Sequence, residues 1–255
     1  MTHRYALIGR TLTHSFSQSY FASHYPHVDY GLCPMNGLEA LRTWAEDYDG
    51  FNVTTPYKVA ILDHLDELTA EARQVGAVNC VRVLRRQGAS TRLVGHNTDA
   101  GAFQATLTDA LRAVPLAPPY RALVLGTGGA ARAVAVALRR CSIPSTLLSH
   151  TQLTTLRSHP CGLNGLLPQG QEDARLIVIN ATPVGMAPLT DMSPLPGLAL
   201  TGLRNLAFVY DLIYNPSPTR LLAQAAALDI AHCDGLAMLH LQADLSYLFW
   251  THDHR

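Results

Sequence analysis

Apolar residues along this chain fall into short runs separated by stretches with helical spacing, and the two kinds of segment alternate almost from end to end. In the first half, "YALIG" predicts a strand, a helix follows Ser17, "DYGLC" predicts a second strand, a helix surrounds Leu38 to Trp44, and "FNV" is a third strand. Thr55 is placed to cap a further helix with Pro56 at its first position, and Val59, Ile61, Leu62 and Leu65 continue it at helical intervals. Two β-rich pieces, "AVNCVRVL" and "TRLVG", flank "RRQGAS", where Gly88 and Ser90 mark the turn of a hairpin. A helix is expected from Asp99 to Ala113.

The segment "VPLAPPY" then places three prolines where neither a helix nor a sheet interior tolerates them, so it reads as a connection between half-molecules. Beyond it, "RALVLG", "GGAARAVAVALRR", "STLLS", "RLIVINA", "AFVYDLIY", "PTRLLAQAAAL" and "IAHC" repeat strand and helix. The last piece, "GLAMLHLQADLSYLFW", has helical spacing and is expected to pack away from this second half. The pattern predicts an α/β protein with largely parallel strands. Residues 1–98 with 236–255 are expected to form one domain and residues 99–235 the other.

Composition narrows the partners. The formal net charge is zero and only 15% of residues are charged, which favours a small-molecule partner over nucleic acid or an anionic membrane. Apolar runs fall short of the roughly 20 residues a membrane span needs. The first residues lack a basic region followed by an apolar stretch, so a cytoplasmic location is the expectation. Five scattered cysteines without a C-x-x-C pair, and twelve histidines without ligand spacing, predict free thiols and no metal site.

One residue type is used once. Of the 19 basic residues, Lys58 is the single lysine. Arginine stays protonated, whereas an ammonium can give up a proton, so a lysine kept at one position points to proton transfer. Lys58 stands just past the "FNV" strand in the first turn of the next helix. A second signal is "LVLGTGGAARAV", which sets Gly126, Gly128 and Ala131 in the order G-x-G-x-x-A between a strand and a helix. Such a turn lets backbone approach a pyrophosphate at the helix N-terminus, so a dinucleotide is expected there. The next strand ends in Ser149, His150 and Thr151, without the carboxylate that would favour NAD. That tilts the expectation to NADP, with NAD possible and Arg157 nearby in sequence.

Eight motifs in order resemble those of the shikimate dehydrogenase family: "HSFSQ", "NVTTPYK", "GAVNC", "GHNTDAGAF", "LGTGGAARAV", "NATPVGM", "DLIYNPSPTRLL" and "GLAMLHLQA". The resemblance implies an N-terminal mixed-sheet α/β substrate domain plus a Rossmann-like dinucleotide-binding domain, in a monomer or homodimer. It implies NADP-dependent, reversible reduction of 3-dehydroshikimate to shikimate on the route to chorismate and the aromatic amino acids. By motif position, Lys58 and Asp99 are then the catalytic pair. Ser15, Ser17 and Tyr214 would bind the substrate carboxylate, and Thr54, Asn79 and Gln242 its ring hydroxyls. Gly126, Gly128, Gly129, Ala130, Ser149, His150, Thr151, Thr182 and Leu212 would face the cofactor, with Gly235 and Met238 beside the nicotinamide.

Several of these residues also have structural uses. Ser15, Ser17 and Asp99 are all natural helix caps, and Met238 is suited to a core. Three positions depart from the family pattern: Gln18 replaces a proline, Cys80 a threonine, and Ser149-His150-Thr151 an N-R-T. Loss of that arginine keeps a quinate/shikimate dehydrogenase using NAD open as the alternative, and a nucleotide-sensing module without catalysis stands further off.

Overall fold

A computed structural model of the chain describes residues 3–12, 16–86, 89–114, 117–158, 164–165, 173–195 and 200–252. Two compact units emerge: Met1–Ala102 together with Leu239–Arg255, and Phe103–Met238.

The first unit holds a mixed six-stranded sheet in the order β2-β1-β3-β5-β6-β4. Its strands are β1 (His3–Gly9), β2 (Val28–Pro34), β3 (Gly50–Val53), β4 (Glu67–Leu68), β5 (Cys80–Arg86) and β6 (Ala89–His96). β1 pairs in parallel with β2 and β3, while β5 runs antiparallel to β3 and β6. Side chains alternate across the sheet, as the period of two requires. Ala6, Ile8, Phe51, Val53, Val81 and Leu93 fill one core, and Tyr5, Cys80 and Val94 join Phe21, Phe249 and Trp250 in the other. On the second face Tyr5 stacks on Trp250 at 4.2 Å between ring centres, and the Trp250 indole donates to the Val81 carbonyl at 3.0 Å. Those contacts seat α9 (Leu236–Thr251), whose residues from Leu239 on belong to this unit, beside α1 (Phe16–His24).

The second unit is a five-stranded, all-parallel sheet in the order β11-β10-β9-β7-β8. It comprises β7 (Tyr120–Leu125), β8 (Ser145–Leu148), β9 (Arg175–Asn180), β10 (Leu206–Asp211) and β11 (Ala231–Cys233). Covered on both faces, its central strands read as continuous apolar runs, and Leu176, Ile177, Val178 and Ile179 are all fully buried. Helices α6 (Gly129–Arg140), α7 (His150–Ser158) and α8 (Arg220–Ala226) follow β7, β8 and β10. On α6, Ala133, Val134, Ala137 and Leu138 face inward while Arg132, Arg139 and Arg140 are exposed. Chain order reverses at β7, which has β8 on one side and β9 on the other, so the C-terminal end of β7 is the switch point where such sheets bind ligands.

The α/β class, the mixed first sheet and the parallel second sheet agree with the sequence expectation. Local differences have identifiable causes. The helix expected around Leu38 is the single turn α2 (Leu41–Ala45). Thr55 does not cap the helix carrying Lys58: α3 (Tyr57–Ala60) begins one residue later, Pro56 holds the cap position, and no side chain accepts there. That helix also fails to reach Leu65, tightening to a 3₁₀ turn over Ile61–His64. The chain beyond is captured by β6, with the Asp66 amide donating to the Leu93 carbonyl at 3.0 Å and that of Thr69 to Gly95 at 2.9 Å. The hairpin of β5 and β6 is present; Gly88 lies outside the described residues, and Ser90 is already within β6. Three elements went unread: β4, α7 and α4 (Ala70–Val75), the last capped by the Thr69 hydroxyl accepting from the Ala72 amide.

Candidate active site

The cap expected of Asp99 is made by its neighbour. Asn97 Oδ1 accepts from the Ala100 amide at 3.1 Å at the start of α5 (Asp99–Ala113), which leaves both Asp99 oxygens free for other partners. Lys58 Nζ donates to Asp99 Oδ2 at 2.6 Å, and Asn79 Nδ2 donates to Asp99 Oδ1 at 2.8 Å. The carboxylate side chain is 5% exposed and the lysine 18%, so the pair is shielded but the ammonium still reaches open space. The helix dipole favours negative charge at Asp99. The Lys58 main chain is fixed as well, its carbonyl accepting from the Val78 amide at 2.7 Å.

Behind the pair runs a buried polar relay. Asn79 divides its amide hydrogens between Asp99 and Thr98 Oγ1, each at 2.8 Å, and its Oδ1 accepts from the Thr98 amide at 2.7 Å. Gln242 Oε1 lies at 3.4 Å from Asn79 Nδ2, a weaker third contact. Ser246 accepts from Asn52 Nδ2 at 2.8 Å and donates to the Gln242 carbonyl at 2.8 Å, so the Thr98 hydroxyl donates to it at 3.3 Å. Asn52 is completed by the Tyr30 hydroxyl at 2.8 Å and the Asn79 carbonyl at 3.1 Å. Ser246→Ala orphans donors on both Asn52 and Thr98 in a fully buried place. It is expected to lower unfolding free energy by about 1–3 kcal/mol. Urea denaturation measures this, and an unchanged midpoint would contradict the relay.

Of the residues expected from sequence, the fold therefore brings Lys58, Asp99, Asn79 and Gln242 into one hydrogen-bonded cluster. Thr54 follows β3 directly, four positions before Lys58, its amide donating to the Ile8 carbonyl at 2.9 Å. Ser17 is buried in the first turn of α1, and Ser15 lies outside the described residues. Tyr214 belongs to the second unit, in the loop after β10, where burial raises its hydroxyl pKa. Sequence reading missed Asn52, Thr98 and Ser246.

Residues expected at the cofactor gather along the C-terminal edge of the second sheet. Gly126 follows β7 with φ +115°, a conformation glycine adopts freely, and its amide donates to the Leu148 carbonyl at 2.8 Å. An added Cβ there would lie 3.1 Å from the Ala181 carbonyl oxygen. Gly128 stands at the N-cap of α6 with no side-chain cap, and a Cβ at that position would meet open space. Gly129 and Ala130 open the helix and are only half-buried, so the helix N-terminus has room for a phosphate. Thr182 follows β9 and Leu212 follows β10, while Gly235 follows β11 at a point where any Cβ would collide with the Leu212 carbonyl. Met238 is 7% exposed.

The end of β8 differs from expectation. The strand stops at Leu148, and His150 and Thr151 are already in the first turn of α7, both exposed. Ser149 and Gln152 form a reciprocal capping box: the Ser149 amide and hydroxyl donate to Gln152 Oε1 at 2.9 and 3.0 Å, and the Gln152 amide returns to Ser149 Oγ at 3.3 Å. Among the described residues no group of three or more His, Cys, Asp or Glu could hold a metal, and no helix is long and apolar enough to cross a membrane. Four described cysteines, Cys33, Cys80, Cys141 and Cys233, are free.

Known proteins are similar to this chain in sequence and fold. The family model for the shikimate dehydrogenase substrate binding domain matches residues 7–81. The NADP(+) shikimate dehydrogenase of Shouchella clausii is 36% identical over 98% of this chain and 94% of its own length. That of Thermus thermophilus is 36% identical over 97% and 92%. A solved structure of the Thermus thermophilus shikimate 5-dehydrogenase in complex with NADP(H) and shikimate superposes with a TM-score of 0.74 at 34% identity, covering 98% of this chain and 93% of that one. Quinate dehydrogenase from Corynebacterium glutamicum in complex with NAD gives 0.73 at 28% identity, covering 98% and 94%. With relatives at this identity spanning nearly its whole length, the chain belongs to the shikimate dehydrogenase family.

Proposed function

We propose that this chain catalyses the reversible, NADP-dependent interconversion of 3-dehydroshikimate and shikimate, with Lys58 and Asp99 as the catalytic pair. The observation that carries the reading is the shielded 2.6 Å contact between the single lysine of the chain and a carboxylate anchored by Asn79. When bound, NADP(H) supplies or accepts the hydride. Lys58 Nζ gives a proton to the substrate oxygen as negative charge builds there, and in the reverse direction its neutral amine takes the proton back. Asp99 holds Nζ in line, and Asn79 holds Asp99. Asn79 spends both amide hydrogens inside the protein, so its part is to orient the acid. Gln242, Thr54 and the hydroxyls of Ser15 and Ser17 bind the substrate hydroxyls and carboxylate, adding no fixed positive charge. The substrate is bound in the first unit, and Gly126, Gly128, Gly129, Ala130, Thr182, Leu212, Gly235 and Met238 hold the dinucleotide. His150 and Thr151 receive the 2′-phosphate at the start of α7, where Ser149 contributes through the cap.

Initial rates of nicotinamide reduction, measured with shikimate and with quinate against NADP and NAD side by side, test this. Turnover is expected with shikimate and NADP. Faster turnover with quinate and NAD would replace it with the quinate dehydrogenase reading, and no turnover with any pair would overturn it.

A further inference from the structure

A carboxylate far from Lys58 in sequence has no part in the proton transfer, yet it is fully buried. Asp211, the last residue of β10, accepts from Thr219 Oγ1 at 2.7 Å, from Asn180 Nδ2 at 2.9 Å and from the Ile213 amide at 3.0 Å. All three donors are neutral. The two side-chain donors carry the geometry outward. Asn180 Oδ1 accepts from the Thr182 amide at 3.0 Å and the Thr182 hydroxyl at 2.7 Å, while its Nδ2 also reaches the Val184 carbonyl at 3.1 Å. Thr219 caps α8 by accepting from the Leu222 amide at 3.3 Å, closing the loop that carries Leu212 and Tyr214. One carboxylate thus ties together the two loops that leave β9 and β10 at the ligand-binding edge of the sheet.

We propose that Asp211 is a positioning residue for the dinucleotide, acting through Asn180 and Thr219 to hold Thr182 and Leu212 in place; the inference rests on the functional reading above. The carboxylate form suits this role, since protonation would turn one of its acceptor oxygens into a donor facing other donors. Burial pushes the Asp211 pKa up to about 6, with the carboxylate of Asp234 pushing the same way and the Thr219, Ile213 and Asn180 hydrogen bonds opposing. The Cys233 thiol also faces it. The carboxylate therefore predominates at pH 7.5 and gives way to the acid as pH falls through about 6. The folded state favours the neutral acid, so the group's own contribution to stability is fully present below about pH 4, is lost as pH rises through about 6, and is level above.

The test is NADP affinity of the purified protein by calorimetry, for wild type and Asp211→Asn, between pH 5 and 7.5. A carboxamide resembles a protonated carboxyl in presenting one acceptor oxygen beside a donor. The variant should bind about tenfold more weakly at pH 7.5, and the gap should close towards pH 5. Melting curves without ligand should show the stability difference between the two proteins changing over pH 4 to 6 and flat above. Thr219→Val should weaken NADP binding and Thr219→Ser restore it, a pair that preserves the test if the first variant folds poorly. Equal affinities at pH 7.5, or a gap that does not vary with pH, would overturn the clamp while leaving the dehydrogenase reading intact. A wild-type protein that binds neither NADP nor NAD would sink both.

Discussion

Replacing Lys58 by methionine is expected to lower kcat for shikimate oxidation by about 10² to 10⁴, the range for loss of a general acid or base. Methionine keeps the length and apolar stem of the side chain, so KM for shikimate should move far less than kcat. Breaking a buried pair normally costs stability because the surviving charge loses its partner. Here Asp99 keeps the Asn79 hydrogen bond at 2.8 Å, so the melting temperature should fall by only a few degrees. Lys58→Arg separates charge from proton transfer: a guanidinium can pair with Asp99, but it cannot release a proton near neutral pH. It should be nearly as slow as the methionine variant. Steady-state kinetics with thermal melts on both proteins decide the matter, and an arginine variant within tenfold of wild type would remove Lys58 from proton transfer.

The Lys58–Asp99 pair was legible because both members sit in short, local motifs beside a strand end, and because a residue type used once invites a chemical explanation. The glycine turn between β7 and α6 was legible for the same reason: G-x-G-x-x-A is a contiguous signal whose context of strand and helix can be read on either side. What supports the pair was not. Asn52 reads as one polar residue inside "FNV" and Ser246 as one polar residue in an apolar helix, yet they bond to each other across 194 positions. No local pattern announces a partner that distant.

The missed elements tell the same story at smaller scale. β4 has two residues and becomes a strand only because β6 supplies partners for its flanking amides. By contrast, the Thr69 cap of α4, its terminal Gly76, and the Ser149–Gln152 capping box were local signals open to reading. Ser149 reads as part of a ligand-binding loop because the strand before it ends in a position where dinucleotide sheets place their specificity residues. The cap and the ligand role occupy the same residue, and the hydroxyl hydrogen already has Gln152 as its acceptor.

Asp99→Asn is expected to lower kcat/KM by about 10² to 10³, and to reveal whether the pair acts as a unit. The carboxylate gives one oxygen to Lys58 and the other to Asn79. A carboxamide has a single acceptor oxygen, so its NH₂ must face either the Lys58 ammonium or the Asn79 amide, donor against donor. Either orientation displaces Nζ or unseats Asn79. If Asp99 works only by holding Lys58, the Lys58→Met/Asp99→Asn double variant should be no slower than the worse single variant, since residues acting as one unit are strongly non-additive. Multiplying losses would mean instead that Asp99 contacts the substrate independently of the lysine. In that case the acid binds a ring hydroxyl in its own right, and KM for shikimate should rise in Asp99→Asn even with Lys58 already removed.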